Sequence, residues 1–228
     1  MIEGKNNYET LKELSIEQNF SLFGVADITE IRHEFNLPNT SLEKFSRGIA
    51  LGKRLLNAVI EEIEDRPTAL YFHHYRQLNF FLDRGAFIMA SDIQELGFQA
   101  LPVPASQITN WEKQQGHLSH KKVGYLSGLG WIGRNNLLVN PDFGSRFRLV
   151  TILTDMPLAA DHPLDEDCGS CRACIRVCPA KAIQEDVSNF DHWRCFDKLK
   201  EFRKSGIVGQ HICGVCIKAC PGFKKQKR

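Results

Sequence analysis

Residues 168–179 read CGSCRACIRVCP, with cysteine at 168, 171, 174 and 178 and proline at 179. Further on, residues 213–221 read CGVCIKACP, with cysteine at 213, 216 and 220 and proline at 221. Both runs use gaps of two and three residues and both end in Cys-Pro, so they form an internal pseudo-repeat. One more cysteine, Cys195, lies between them, and the eight together are all the chain has.

The first run, Cys-x2-Cys-x2-Cys-x3-Cys-Pro, is the spacing of bacterial two-cluster ferredoxins. Three thiolates two residues apart let a tight loop wrap three corners of an iron–sulfur cube. The fourth sits a helical turn on, points away and ligates the other cluster. The second run lacks its first position, which falls at Gln210. Two 4Fe–4S clusters need eight thiolates, and Cys195 closes the count. The spacing therefore assigns Cys168, Cys171, Cys174 and Cys220 to one cluster. Cys178, Cys195, Cys213 and Cys216 take the other. His211 in place of Cys195 is the open alternative. Four-cysteine zinc sites use paired CxxC elements rather than this triplet. Disulfides do not suit a reducing compartment. Arg172, Arg176, Lys181 and Lys218 either offset cluster charge or are ordinary solvated cations.

The 228 residues suit one large domain, or one domain with a small appendage. Hydrophobic residues make up 43%, with 15 Phe against 3 Met, so a sizeable core leaning on aromatics is expected. Nothing in the formal charge of +2 predicts a nucleic-acid or membrane partner. The opening MIEGKNNYETLKELS is polar, with no apolar signal region. No run approaches the length of a membrane span. A cytoplasmic protein is the expectation.

Cysteine is absent from residues 1–167. A boundary therefore falls near 155–167, a Pro- and Asp-rich run that reads as a linker. The expected architecture is α+β. An N-terminal α/β region, 1–160, would hold a substrate or cofactor, and a ferredoxin-like domain, 161–228, would follow. Helices are expected over 8–18, 55–64, 68–96 and 117–127. In the long one, Leu78, Phe81, Leu82, Ala86, Met89, Ile93 and Leu96 recur near a 3.6 period, and Gly97 suits its C-cap. Strands are expected over 20–27, 98–103 and 146–153.

Residues 128–133, GLGWIG, match G-x-G-x-x-G literally. A dinucleotide site needs a strand before that motif and a helix opening at it. Here a helical pattern precedes it, and strand and turn follow. A close-approach loop is the better reading, its glycines bringing backbone near a large cofactor or a packed aromatic. Trp131 offers a flat stacking face.

The run SGLGWIGRNNLLVNPDFGSRFRLVTILTD (127–155), followed by CGSCRACIRVCPAKAI, Cys195 and the 213–220 run, resembles the epoxyqueuosine reductase family, relatives of reductive dehalogenases. The resemblance covers about residues 124–221 and is loose over 20–123. It implies a cobalamin domain joined to a two-cluster ferredoxin domain. The clusters would pass electrons one at a time to cobalamin, whose cobalt drives a two-electron reduction. Gly128, Gly130, Trp131 and Gly133, with Gly144, Ser145 and Arg146, would sit at the corrin. A reduced ferredoxin or flavodoxin would supply electrons, and the substrate would be a small molecule or nucleoside. The family's acidic proton donor lies in an Asp-Thr-Gly-Pro-like motif. Gln114 and Gly116 stand there instead, with no Asp. The C-terminal helical repeats that grip tRNA in longer members have no counterpart before Arg228, so a short paralogue is expected and tRNA binding is not.

Candidate proton donors are His117 and His120, three apart and on one face if helical, and Tyr75, which clusters with His73, His74 and Arg76. The histidines could equally hold a metal, take a cobalt axial position or form a polar face. Ser106 and Gln107 sit in a loop that could line a site. Lys224, Lys225, Lys227 and Arg228 form a basic tail. An oxidoreductase heads the functional readings, ahead of a non-enzymatic electron-transfer protein and of a structural or sensory iron–sulfur module.

Overall fold

A computed structural model of the chain describes residues 2–38 and 42–222; the basic tail beyond Gly222 lies outside them. The fold is mixed α and β, and the chain divides into two compact units. The first comprises Met1–Lys53, Asn79–Leu129 and Arg148–Leu164. The second comprises Arg54–Leu78, Gly130–Phe147 and Asp165–Arg228.

The first unit is built on a four-stranded sheet ordered β1-β2-β6-β3. Strand β1 is Leu22–Asp27, β2 Arg47–Arg54, β3 Ala100–Val103 and β6 Phe147–Thr154. β1 pairs antiparallel with β2, Leu22 opposite Gly52 and Asp27 opposite Arg47. β3 pairs antiparallel with β6, Ala100 opposite Thr154. β6 follows from its Phe, Val, Thr and Ile content. β2 is not evident from sequence. Its core, Gly48–Gly52, is continuously buried, but two glycines and an alanine give it little intrinsic strand preference. A side chain on Gly48 would press within 2.9 Å of Ile28 and 3.0 Å of Val123. Packing, not propensity, makes this a central strand.

Helix α1, Ile2–Glu17, begins earlier than its apolar period suggests. Its first turns are tied down: Asn7 donates to Pro157 O at 3.0 Å, and Ala159 N–H donates to Gly4 O at 3.0 Å. The long helix α3, Ala69–Glu95, lies where the 3.6 period placed it. Tyr71, Tyr75, Leu78, Leu82, Ala86, Met89 and Ile93 are buried along one stripe. Leu96, counted with that stripe from the sequence, is 55% exposed because the helix has already ended. There Gly97 takes φ +89°, Gly97 N–H donates to Gln94 O and Phe98 N–H to Ile93 O, a Schellman stop. No described helix is long and apolar enough to cross a membrane.

The 155–162 segment is not a free linker. Met156 and Leu158 are buried. Arg47 Nε donates to Leu158 O at 2.9 Å, and Asp161 N–H donates to Val25 O at 2.8 Å. Its proline and aspartate content suggested a connection, but the side chain of Asp161 and the apolar pair fasten it to the first unit.

The second unit contains α2 (Asn57–Glu61), the β4–β5 hairpin (Trp131–Ile132 with Leu138–Val139), α5 (Ala173–Val177), α6 (His192–Lys204) and α7 (Val215–Lys218). The sequence reading places no helix at α6, though its start carries a legible signal: the Asp191 side chain caps it by accepting from Arg194 N–H at 2.9 Å. Helix α4 (His120–Leu126) belongs to the first unit and packs on β1.

Candidate metal centre

The two Cys-Pro runs each form a loop and then one short helical turn. α5 carries Cys174 and is followed by Cys178; α7 carries Cys216 and is followed by Cys220. These two helices pack on each other, so each run's last cysteine can cross to the other run's neighbours. The thiols sort into two groups. Burial, and then the neighbouring Cys220, Cys168 and Cys171, push Cys174 up to about 11. Burial pushes Cys195 to about 11, with Cys178 beside it. Burial pushes Cys213 up to about 12, with Cys195 and Cys178 nearby. Cys216 is driven well above the ordinary thiol range by burial, then by Cys213, Cys195 and Cys178 and, from the first group, by Cys174. All four thiols of the second group line one cavity, whose remaining walls are mostly apolar, Ile183, Phe190 and Leu199 among them, with Asn135 and Lys198 as polar members.

Four thiols gathered around one cavity form a donor set suited to a metal, which binds cysteines as thiolates. Among the described residues no three His, Cys, Asp or Glu side chains gather tightly enough to hold a single ion.

The hairpin segment Gly130–Phe147 adjoins the first group. Trp131 Nε1–H donates to Cys168 Sγ at 3.4 Å. Ser145 N–H donates to Cys220 O at 3.1 Å, which sets the serine beside the Cys220 thiol. Asn135 Nδ2 donates to Ser145 Oγ at 3.1 Å, both residues being buried. Three glycines permit this approach. A Cβ on Gly130 would lie 2.0 Å from Val139 O, across the hairpin. Gly144 has φ +59°, and a Cβ there would lie 1.9 Å from Cys220 O. A Cβ on Gly133 would meet Val139 Cγ2 at 2.5 Å and Cys168 Sγ at 3.4 Å. The order around GLGWIG is helix α4, loop, strand β4, the reverse of a dinucleotide-binding turn. Gly128 belongs to the first unit, at φ +69° against His162 O.

Arginines brace the thiol loops, a role that sequence reasoning missed. Arg134 donates from Nε to Glu185 O at 2.8 Å, from Nη1 to Cys171 O at 3.1 Å and from Nη2 to Gly169 O at 3.0 Å. Arg146 is 8% exposed; it pairs with Glu61 at 2.8 Å and donates to Lys218 O, while its Nε finds no protein partner. Lys218, read from sequence as a charge offsetting a cluster or facing solvent, is a strut: its Nζ donates to Glu61 O and Ile63 O. Arg172 is paired with Glu185 at 2.6 Å.

The proton-donor candidates are separated. Ser119 caps α4 by accepting from Lys122 N–H, so the helix starts at His120. His117 therefore precedes it, and the two histidines do not share a helical face as expected. His120 Nδ1 meets Thr151 Oγ1 at 2.8 Å and Nε2 meets Pro104 O at 2.9 Å. Burial holds its pKa down to about 4. A neutral Nε2–H tautomer, with the threonine hydroxyl donating to Nδ1, satisfies every partner. His117 lies between two oxygens, Asn36 O at 3.2 Å from Nδ1 and Gln107 Oε1 at 3.0 Å from Nε2. Tyr75 is buried in the second unit. His74 Nε2 accepts from Leu56 N–H at 3.2 Å, and Arg76 lies over the Phe72 ring.

α6 carries five basic and two acidic residues. Trp193, Phe196, Lys200 and Lys204 fall on one face, opposite the side bearing Cys195 and Leu199. Trp193 is 54% exposed. Phe196 meets His211 with ring centroids 5.0 Å apart, and Lys200 lies over Phe196. Burial, with Arg203 and Lys200 close by, lowers the His211 pKa.

No protein-family model matches the chain. It is 33% identical over 119 residues to epoxyqueuosine reductase from Bacillus anthracis, a match spanning 48% of this chain and 30% of that protein. Its fold resembles epoxyqueuosine reductase from Streptococcus thermophilus, with TM-score 0.65 and 20% identity over 93% of this chain and 65% of that one. It also resembles a catabolic reductive dehalogenase, with TM-score 0.77 and 20% identity over 95% of this chain and 32% of that one. The resemblance to epoxyqueuosine reductases thus holds in sequence over about half the chain. The matched segments span less than a third of that curated relative.

Proposed function

We propose that this chain is an iron–sulfur oxidoreductase of the epoxyqueuosine reductase type. Its eight cysteines would hold two 4Fe–4S clusters in a ferredoxin-like second unit. Its first unit would hold the cofactor or substrate that receives the electrons, cobalamin being the candidate. The observation that carries the reading is the sorting of the thiols. Cys174 has Cys168, Cys171 and Cys220 as neighbours, while Cys178, Cys195, Cys213 and Cys216 share one cavity. Thiolates on one zinc converge on a point at about 2.3 Å. Thiolates at the corners of a cube stand farther apart, because the iron–sulfur core lies between them. The clusters supply one-electron transfer when bound.

The protein's own groups have separable tasks. Arg134 and Lys218 hold the two cysteine loops in place, Arg134 by the loop carbonyls and Lys218 by those of Glu61 and Ile63. His117 is the candidate proton carrier, its two ring nitrogens meeting Asn36 O and the Gln107 side-chain amide at 3.2 and 3.0 Å. It would replace the family's missing aspartate. His120 and Tyr75, also read from sequence as donors, are less suited: His120 is satisfied neutral and Tyr75 is buried. The basic, aromatic face of α6, backed by Cys195, suits a small acidic electron donor such as a ferredoxin or flavodoxin. The substrate class is a small molecule or nucleoside, and tRNA, which one solved epoxyqueuosine reductase holds as a modified stem loop, is not needed by this reading.

Anaerobic purification with iron and acid-labile sulfide analysis tests the clusters, with about eight irons per chain expected. Titration with cobalamin under reducing conditions tests the first unit, a base-off cobalt spectrum being the expected result. About four irons, or zinc alone, would overturn the cluster reading. No binding at high micromolar cobalamin would remove the cofactor.

A further inference from the structure

The hairpin segment Gly130–Phe147 does more than pack. It aims two side-chain donors at thiols, and both thiols belong to the same group. Trp131 Nε1–H reaches Cys168 Sγ at 3.4 Å, and the indole is 3% exposed. Ser145 N–H donates to Cys220 O at 3.1 Å, which places the serine side chain beside the Cys220 thiol. Ser145 is 2% exposed, and its orientation is set by Asn135, whose Nδ2 donates to Ser145 Oγ at 3.1 Å. An oxygen that accepts from Asn135 has its own proton free to give to sulfur. Asn135 is itself held, its Oδ1 accepting from Leu137 N–H at 3.3 Å. Gly144 and Gly130 bring the backbone close enough for both contacts. On the other group the backbone supplies a donor, Ala182 N–H to Cys178 Sγ at 3.4 Å.

We propose that Trp131 and Ser145, with Asn135 as positioning residue, selectively raise the reduction potential of the cluster held by Cys168, Cys171, Cys174 and Cys220. The proposal rests on the cluster reading above. A reduced cluster carries one more negative charge, and much of its electron density lies on sulfur. A donor aimed at a ligand sulfur therefore stabilises the reduced state more than the oxidised one. In a buried site that preference is little screened by water. Trp131 and Ser145 reach sulfurs of one cluster only, so the effect falls on one of two potentials.

The test is a redox titration of the full chain, purified anaerobically and followed by EPR. Wild type, Trp131→Phe, Ser145→Ala and Ser145→Thr are compared, each with its iron content measured. In Trp131→Phe and Ser145→Ala one of the two reduction steps should become harder and the other should stay in place. The expected change is up to about tenfold in the equilibrium constant per donor removed, or about 59 mV for a one-electron couple. Ser145→Thr should restore the wild-type step. Two full clusters with both potentials unmoved in both variants would overturn the inference and leave the cluster reading intact. So would equal displacement of both potentials. Fewer than about eight irons in wild type would overturn the cluster reading and this inference with it. Should Trp131→Phe lose iron, the Ser145 pair decides, because it changes a single hydroxyl.

Discussion

The Tyr8 hydroxyl lies 3.1 Å from both carboxylate oxygens of Asp161, joining the first helix to a segment 153 residues away in sequence. The same carboxylate accepts from Val25 N–H at 2.8 Å, so one aspartate ties α1, β1 and the 155–162 segment together. Burial, and then the charge of Asp161, push the Tyr8 pKa up to about 12. A tyrosine raised from 10 in the unfolded chain to about 12 in the folded one stabilises fully below pH 10, and that contribution is lost as pH climbs toward 12. Solvent screening of this partly exposed ring reduces the effect to roughly 1 kcal/mol. Denaturant midpoints at pH 8 and pH 11 should fall more steeply in wild type than in Tyr8→Phe. Equal slopes would mean that the phenol ionises freely in the fold.

His120 carries a dependence on the acid side. Its folded pKa, about 4, lies below the ordinary 6.5 because its ring is buried. The unfolded chain binds the proton first, so stability is complete above pH 6.5 and drains away as pH falls toward 4. At about 1.4 kcal/mol per pH unit the full effect is on the order of 3 kcal/mol. His120→Gln should melt lower than wild type at pH 7 and by less at pH 5. His117→Gln should leave melting within about 0.5 kcal/mol, as a partly exposed residue, while slowing turnover. Unchanged turnover in that variant would rule out His117 as proton carrier.

Arg134 spans three carbonyls, on Glu185, Cys171 and Gly169. Only a planar guanidinium offers donors in that spread. Arg134→Ala should cost roughly 2–4 kcal/mol, from charge-assisted hydrogen bonds and unpaired carbonyls. Arg134→Lys should recover little of it. Thermal midpoint and iron per chain are the readouts, and full recovery by lysine would show that charge alone suffices.

Two glycines of similar backbone provide a matched pair. Gly97 has φ +89°, and a Cβ added there would meet nothing within 4 Å, whereas at Gly144, φ +59°, it would collide with Cys220 O. Gly97→Ala should cost about 1 kcal/mol, the left-handed penalty alone. Gly144→Ala should cost several times that and displace Cys220. Iron content separates the two: it should be unchanged in the first and reduced in the second.

The cysteine spacing, the long helix and strands β1, β3 and β6 are all legible in the sequence. Each rests on short-range pattern: loop reach between thiols, a 3.6 period, or runs of apolar and β-branched residues. Strand β2 is not legible, because Gly48, Ala50 and Gly52 carry no local preference and are central only through their neighbours. Helix α6 has a readable cap at Asp191, but its many charges leave too few apolar positions to mark a period. The 155–162 segment reads as a linker by composition, and the hydrogen bonds of Asp161 and Arg47 decide otherwise.

By itself the sequence determined the number and spacing of the eight cysteines, since count and gap length are properties of the chain. It also determined the resemblance to epoxyqueuosine reductases. Only the tertiary structure decided that Arg54–Leu78 and Gly130–Phe147 join the cysteine segment in one unit. It also decided that Trp131 and Ser145 turn toward sulfur, and that His117 and His120 part company. Those outcomes depend on which distant groups meet at hydrogen-bonding distance, and no local pattern encodes that.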